Sequence, residues 1–166
     1  MYRKLATPGV LLCIGALLCI RTGSAFAEGG LQMPPITDAA TQKECGACHI
    51  AFPPQMLPAR SWQAVMDNLG KHFGEDASLP AADRKAITDY LTANAADGTN
   101  TRGAGFLIRG IAAGDTPLRI TETPYWQRGH REVSSADFTN PKVKSPANCG
   151  ACHTGAAQGT YGEPGE

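Results

Sequence analysis

The sequence has no apolar run long enough to span a bilayer: its longest, Val10–Ile20, is about half of the ~20 residues a transmembrane helix needs. It contains no Gly-x-Gly-x-x-Gly turn, no P-loop and no Gly-x-Ser-x-Gly elbow. Dinucleotide binding, nucleotide hydrolysis and hydrolase chemistry of the elbow type therefore lack their usual scaffolds. The acidic residues are scattered, with no pair placed as an acid–base couple. Basic residues number 15 against 15 acidic ones and form no stripe, which argues against a nucleic-acid partner. Methionine is absent after Met66, and the chain contains four histidines in all. With 19 glycines and 12 prolines among 166 residues, the apolar core is expected to be modest.

What is present begins with an export signal. Arg3 and Lys4 precede the apolar run, and Ala25-Phe26-Ala27 supplies a small-residue cleavage site, so residues 1–27 read as a secretory signal peptide cut after Ala27. Its removal takes away Cys13 and Cys19. It also takes Arg3, Lys4 and Arg21 from the 15 basic residues, leaving 12 against 15 acidic ones, a formal charge of −3. The expected location is the periplasm.

Every remaining cysteine belongs to a repeated pentapeptide, Cys45-Gly46-Ala47-Cys48-His49 and Cys149-Gly150-Ala151-Cys152-His153. Cys-x-x-Cys-His is the attachment signature of c-type haem. Two cysteines three apart can add to the two vinyl groups along one porphyrin edge, and the following histidine lies under the ring to ligate the iron. The cofactors expected are two covalently attached haems c, held by Cys45, Cys48 and His49 and by Cys149, Cys152 and His153. A zinc site would have a shorter separation and a reducing compartment. A thioredoxin-like dithiol would sit in a βαβ pattern that is missing here.

The patterning predicts a mainly α chain. Residues 28–36 read as an extended lead-in, and Thr37 or Asp38 caps a helix from Ala39 to about His49. Pro53, Pro54 and Pro58 force a loop. Ser61 is placed as the N-cap of a second helix, on which Trp62, Val65, Met66, Leu69, His72 and Phe73 share one face and which Gly74 ends. A third helix has Pro80 in its first turn, turns Ile87, Tyr90 and Leu91 inward, and stops near Ala95 or Ala96. A boundary near Asp97–Gly98 separates 28–97 from an irregular, loop-rich 98–166. In the latter, Leu118–Glu122 reads as a short strand, Pro124–His130 as a helical turn, and Ser134–Pro146 as irregular.

Two six-coordinate bis-histidine haems need four imidazoles, and His49, His72, His130 and His153 are the whole supply. His72 lies on an apolar face where a haem must pack. His130 is the one strong-field candidate in its half, with Tyr125 and Trp126 beside it as a pocket wall. Met56, Met66, Tyr125 and Tyr161 are the rival ligands. The simplest scheme pairs His49 with His72 and His130 with His153; a crossed scheme uses the same residues. If one ligand leaves, His130 is the first suspect, because its half is less ordered.

The two motifs, the Trp62–His72 segment, the stretch Arg119-Ile-Thr-Glu-Thr-Pro-Tyr-Trp-Gln-Arg-Gly-His130 and Lys144-Ser-Pro-Ala-Asn-Cys-Gly-Ala-Cys-His153 resemble the soluble dihaem cytochromes c of purple and related bacteria. The resemblance implies a class I cytochrome c-like N-terminal domain of about three helices and an irregular C-terminal haem-binding domain. It implies bis-histidine ligation of both irons. As redox partners it implies a monohaem high-spin cytochrome, the sphaeroides haem protein, and a membrane cytochrome b. The function expected is one-electron carriage between redox proteins, with no enzymatic turnover and no small-molecule substrate. The alternatives, a small dihaem peroxidase-like enzyme or a haem-based redox or gas sensor, each need one labile axial ligand.

Since porphyrin must supply apolar surface that the chain lacks, Cys45→Ala/Cys48→Ala or Cys149→Ala/Cys152→Ala should give a degraded or expanded protein. Size-exclusion chromatography and limited proteolysis check this; a compact, stable apo form would refute it.

Overall fold

The computed structural model describes residues 30–162; the expected signal peptide, with its cleavage site, lies outside the described residues. The described chain is mainly helical. Helices α1 (Ala39–Cys45), α2 (Ala59–Asp67), α3 (Ala81–Ala93), α4 (Pro124–Gly129) and α5 (Ser135–Thr139) are joined by long connections containing single turns of 3-10 helix. Two short strands, β1 (Leu31–Gln32) and β2 (Thr160–Tyr161), pair antiparallel. Among the described residues no helix is long and apolar enough to cross a membrane.

Asp38 caps α1: its carboxylate accepts from the Thr41 amide at 2.7 Å and the Thr41 hydroxyl at 2.8 Å. The helix stops at Cys45, one turn short of the expected His49. The Gly46 amide still bonds the Gln42 carbonyl at 3.1 Å, but a side chain at Gly46 would collide with that carbonyl. Residues 46–49 leave as a turn.

The start of α2 corrects the sequence reading. Its N-cap is Pro58, not Ser61, whose hydroxyl is fully buried and has no partner among the described residues. Proline offers no side-chain acceptor, and a distant residue supplies one. Asp97 accepts from the Ala59 amide at 2.7 Å and lies 3.8 Å from the Arg60 guanidinium.

The far end differs too. The expected helix through Phe73 ends at Asp67, and a 3-10 turn (Leu69–Lys71) follows. The backbones of His72 and Glu75 then exchange hydrogen bonds at 2.8 and 3.1 Å across a tight turn. That turn requires φ of 55° at Phe73 and 111° at Gly74, left-handed values that glycine adopts freely and phenylalanine seldom does. Trp62, Met66 and Leu69 stay buried, Phe73 is 44% exposed, and His72 leaves the helix.

Helix α3 turns Ile87 and Leu91 fully inward as expected, but Pro80 is its N-cap instead of part of its first turn, and it ends at Ala93, short of Ala95 or Ala96. Tyr90 is half-buried, and its hydroxyl accepts from the Thr37 amide at 3.0 Å. Helices α1, α2 and α3 enclose a core of Leu57, Trp62, Met66, Leu69, Ile87, Leu91 and Ala95, in which the Trp62 indole N–H donates to the Pro54 carbonyl at 2.7 Å. A second cluster of Met33, Met56, Ala96, Ala104 and Leu107 lies across the sequence boundary near Asp97–Gly98. Beyond Leu107, Ala156 is the one buried apolar residue among those described.

Elements without core are set by local hydrogen bonds. The strand expected at Leu118–Glu122 is a 3-10 turn, Ile120–Glu122, closed by Glu122 N–H to Arg119 O at 3.1 Å. Among the described residues no strand lies beside it to supply a ladder, so the local turn wins. Thr123 then caps α4, and Pro124 opens it. Helix α5 falls in the stretch read as irregular and is held by a reciprocal capping box between Ser134 and Asp137. The lead-in pairs with the other end of the described chain, Leu31 opposite Tyr161 and Gln32 opposite Thr160.

Asp97→Ala removes the cap of α2 and should cost about 1 kcal/mol of stability, while Ser61→Ala, which breaks no bond, should cost far less. Chemical denaturation of the haem-loaded variants checks the order; equal losses would return the cap to Ser61.

Candidate functional site

The first motif straddles the end of α1. Cys45 lies on its last turn, half-buried, whereas Cys48 and His49 are exposed on the turn beyond it. The His49 ring stacks on Phe52, with centroids 4.9 Å apart. Its Nδ1 lies 2.7 Å from the Ile50 carbonyl oxygen. A carbonyl only accepts, so the proton sits on Nδ1 and the Nε2 lone pair is free for a metal. Across from it lies His72, its ring centroid 6.2 Å away and the two ring planes 18° apart. Burial first, then the His49 ring and the Arg119 guanidinium, push the His72 pKa down, so this imidazole is neutral at neutral pH.

The second motif is built from different parts. Cys149–Ala151 form a 3-10 turn, and the His153 amide closes back on the Cys149 carbonyl at 2.8 Å. The His153 Nδ1 donates to the Gly162 carbonyl at 2.6 Å. Facing it is His130, the C-cap of α4, whose Nδ1 donates to the Trp126 carbonyl at 2.9 Å. The centroids of His130 and His153 are 6.0 Å apart with ring planes at 90°. The Trp126 indole lies flat on His130, at 4.2 Å and 14°.

The fold therefore gathers the four histidines into two facing pairs, each made of a motif histidine and the remaining histidine of the same half. A metal–imidazole bond is about 2.0–2.1 Å, and gaps of 6.2 and 6.0 Å between ring centroids leave room for one metal ion between each pair. The donors fit iron held between two rings. They do not fit a bare metal site, since no group of three or more His, Cys, Asp or Glu is gathered among the described residues. The thiols agree with this. Burial above all pushes Cys45 up to about 11, and burial likewise raises Cys149. Neither is the low-pKa thiolate of a redox dithiol.

Three of the four rival ligands are occupied elsewhere. Met56 and Met66 are buried in the two apolar clusters. Tyr125 packs on Phe106 at 5.5 Å, so of the two aromatics expected to wall the second site, Trp126 alone stacks on His130. Tyr161 lies 5.9 Å from His153, and its buried hydroxyl has no partner among the described residues. Burial, and then Cys149, hold that phenol far above its ordinary range, which disfavours a tyrosinate ligand. Two contacts were missed. The Phe52 stack was open to view three residues beyond His49. The Arg119 guanidinium, 4.0 Å over the Phe73 ring, joins residues distant in the chain and left no signal.

The profile of the dihaem cytochrome c family matches residues 41–161. Among solved structures, the chain is similar to a dihaem cytochrome c from Rhodobacter sphaeroides, with 50% identity and a TM-score of 0.71 over 77% of this chain and 99% of that one. A second structure from the same organism gives 46% identity and a TM-score of 0.64, covering 76% and 99%. A dihaem cytochrome c from Shewanella baltica gives 35% identity and 0.60, covering 74% and 85%. No curated protein matches. With both attachment motifs inside the matched span and a facing imidazole pair at each, the chain belongs to the dihaem cytochrome c family and carries two c-type haems.

Proposed function

We propose that this chain is an exported, periplasmic one-electron carrier whose two haems are both low-spin and bis-histidine ligated. His49 and His72 serve the haem in 28–97, read as a class I-like unit of three helices. His130 and His153 serve the haem in 98–166. The observation that supports this most is the pair of facing imidazoles at each motif, at 6.2 and 6.0 Å.

Bound haem supplies a one-electron iron couple whose potential depends on its axial ligands, and Met/His ligation raises it relative to bis-histidine. The protein's part is to hold those ligands still. Three of the four rings donate Nδ1–H to a backbone carbonyl, which fixes the tautomer, orients the ring and strengthens Nε2 as a donor. Bis-histidine ligation and the strengthened Nε2 donor both favour ferric iron and a low potential, and neither favours a ligand that leaves. A peroxidase-like or sensing role would need such a ligand. Its first candidate is now His72 and not His130: the His72 ring has no hydrogen bond among the described residues, whereas His130 is bonded to Trp126 and stacked on it.

With a formal charge of −3 after loss of residues 1–27, the carrier is suited to a redox protein with a basic docking patch. A monohaem high-spin cytochrome and a membrane cytochrome b are the partners proposed.

Carbon monoxide added to the dithionite-reduced protein should leave the Soret band unchanged; a CO-shifted fraction near one half would overturn bis-histidine ligation of one iron. His72→Ala should make about half of the haem bind CO while the haem held by Cys149 and Cys152 keeps its spectrum. Disturbance of that second haem would favour the crossed pairing. Stopped-flow electron exchange with a basic partner should slow as salt is raised; a rate independent of salt would remove the electrostatic docking.

A further inference from the structure

The two imidazole pairs differ in one respect that the shared motif does not foretell. The planes of His49 and His72 are 18° apart, those of His130 and His153 are 90° apart. When two rings bind one metal through nitrogens on opposite sides, both planes contain the bonding axis. The interplanar angle is then the angle between their π systems. Parallel rings donate into the same iron d orbital and split it from its partner. Crossed rings donate into different ones and leave the two nearly equal in energy. We propose that the two haems are electronically unlike for this reason, and that Trp126 is the positioning residue that holds His130 crossed against His153. This rests on the bis-histidine reading above.

The second site is built to hold that angle. The hydrogen bond from His130 Nδ1 to the Trp126 carbonyl, 2.9 Å, anchors one edge of the ring. The indole of the same residue covers its face at 4.2 Å and 14°, so the imidazole takes its plane from the indole. Turning the imidazole about its Cβ–Cγ bond would drive its edge into the indole. The indole in turn is backed by Phe138 of α5 at 5.5 Å. At the start of α4, the Trp126 amide bonds Thr123 Oγ1 at 3.3 Å, and the buried Thr123 hydroxyl donates to the Ile120 carbonyl at 2.8 Å. His153 is fixed separately, by its 2.6 Å bond to Gly162 and by Tyr161 at 62° to its ring. The first site differs. There Phe52 stacks on the motif histidine, and His72 has Phe73 at its edge, 60° from its plane.

Electron paramagnetic resonance of the oxidised, haem-loaded protein is the test. The wild type should give two low-spin signals of equal spin count. One should be rhombic, from the near-parallel pair. The other should be highly anisotropic with a single dominant large g value, from the crossed pair. Trp126→Leu should move the anisotropic signal toward a rhombic one, leave the first signal unchanged, and remain inert to carbon monoxide when reduced; Trp126→Phe, which keeps a stacking ring, should retain the wild-type pattern. Two rhombic signals in the wild type would overturn the proposal, and would do so even if Trp126→Leu failed to load haem. An unchanged anisotropic signal in Trp126→Leu would also overturn it. So would CO binding gained by that variant, because the indole would then be retaining the ligand instead of orienting it. A high-spin wild-type signal would instead defeat the bis-histidine reading itself.

Discussion

The fold depends on two gaps of about 6 Å that the polypeptide frames and does not fill, one between His49 and His72 and one between His130 and His153. Each pair consists of a histidine tied to a cysteine motif and a histidine brought from elsewhere in its half. The chain must hold them apart without letting them meet. Bonds from Nδ1 to backbone carbonyls do this at three of the rings, with no charged side chain involved. A haem couple tuned by imidazole donation alone asks for little more than such rigidity.

The two sites reach that end by different physical routes. Around the first, α1, α2 and α3 enclose an apolar core, and His72 leaves it on a strained turn at Phe73 and Gly74. Around the second almost nothing apolar is buried beyond Leu107 among the described residues, and order comes from short capped helices and 3-10 turns. Such a segment gains little from hydrophobic burial, which is why its prosthetic group is expected to supply apolar surface for it. It is also tied to the first half. Strands β1 and β2 pair, the Met33 amide bonds the Gly159 carbonyl at 2.9 Å, and Arg60 reaches the Asp115 and Ala112 carbonyls at 2.6 and 3.1 Å. A side chain at Gly159 would run into the Met33 carbonyl, and its left-handed φ of 84° independently favours glycine.

Local signals were read correctly where the partner lies within a turn or two. Asp38 bonds Thr41 three residues on, Pro80 and Pro124 stand where a missing amide does no harm, and the inward spacing of Ile87 and Leu91 is helical geometry. The capping box at Ser134 and Asp137 is equally local, written as Ser-x-x-Asp inside a stretch that otherwise reads as irregular. Ser61 misled because it is a good cap by type. Asp97, 38 residues from the Ala59 amide it accepts from, supplies the cap instead. The helix expected through Phe73 fails for a different reason: the periodic apolar face of Leu69, His72 and Phe73 continues past Asn68 and Gly70, the local marks at which the helix ends.

The sequence by itself determined the cofactor, since haem attachment needs two cysteines and a histidine at fixed spacing within five residues, and the chain repeats that unit. It also named the four histidines, because composition offered no others. Which ring faces which, and at what angle, was decided only by the tertiary structure. Those quantities depend on where the His72 turn and the Trp126–His130 stack place side chains relative to motifs 23 and 19 residues away. A ring angle of 18° at one site and 90° at the other, from identical pentapeptides, arises from packing around the rings and is written in neither motif.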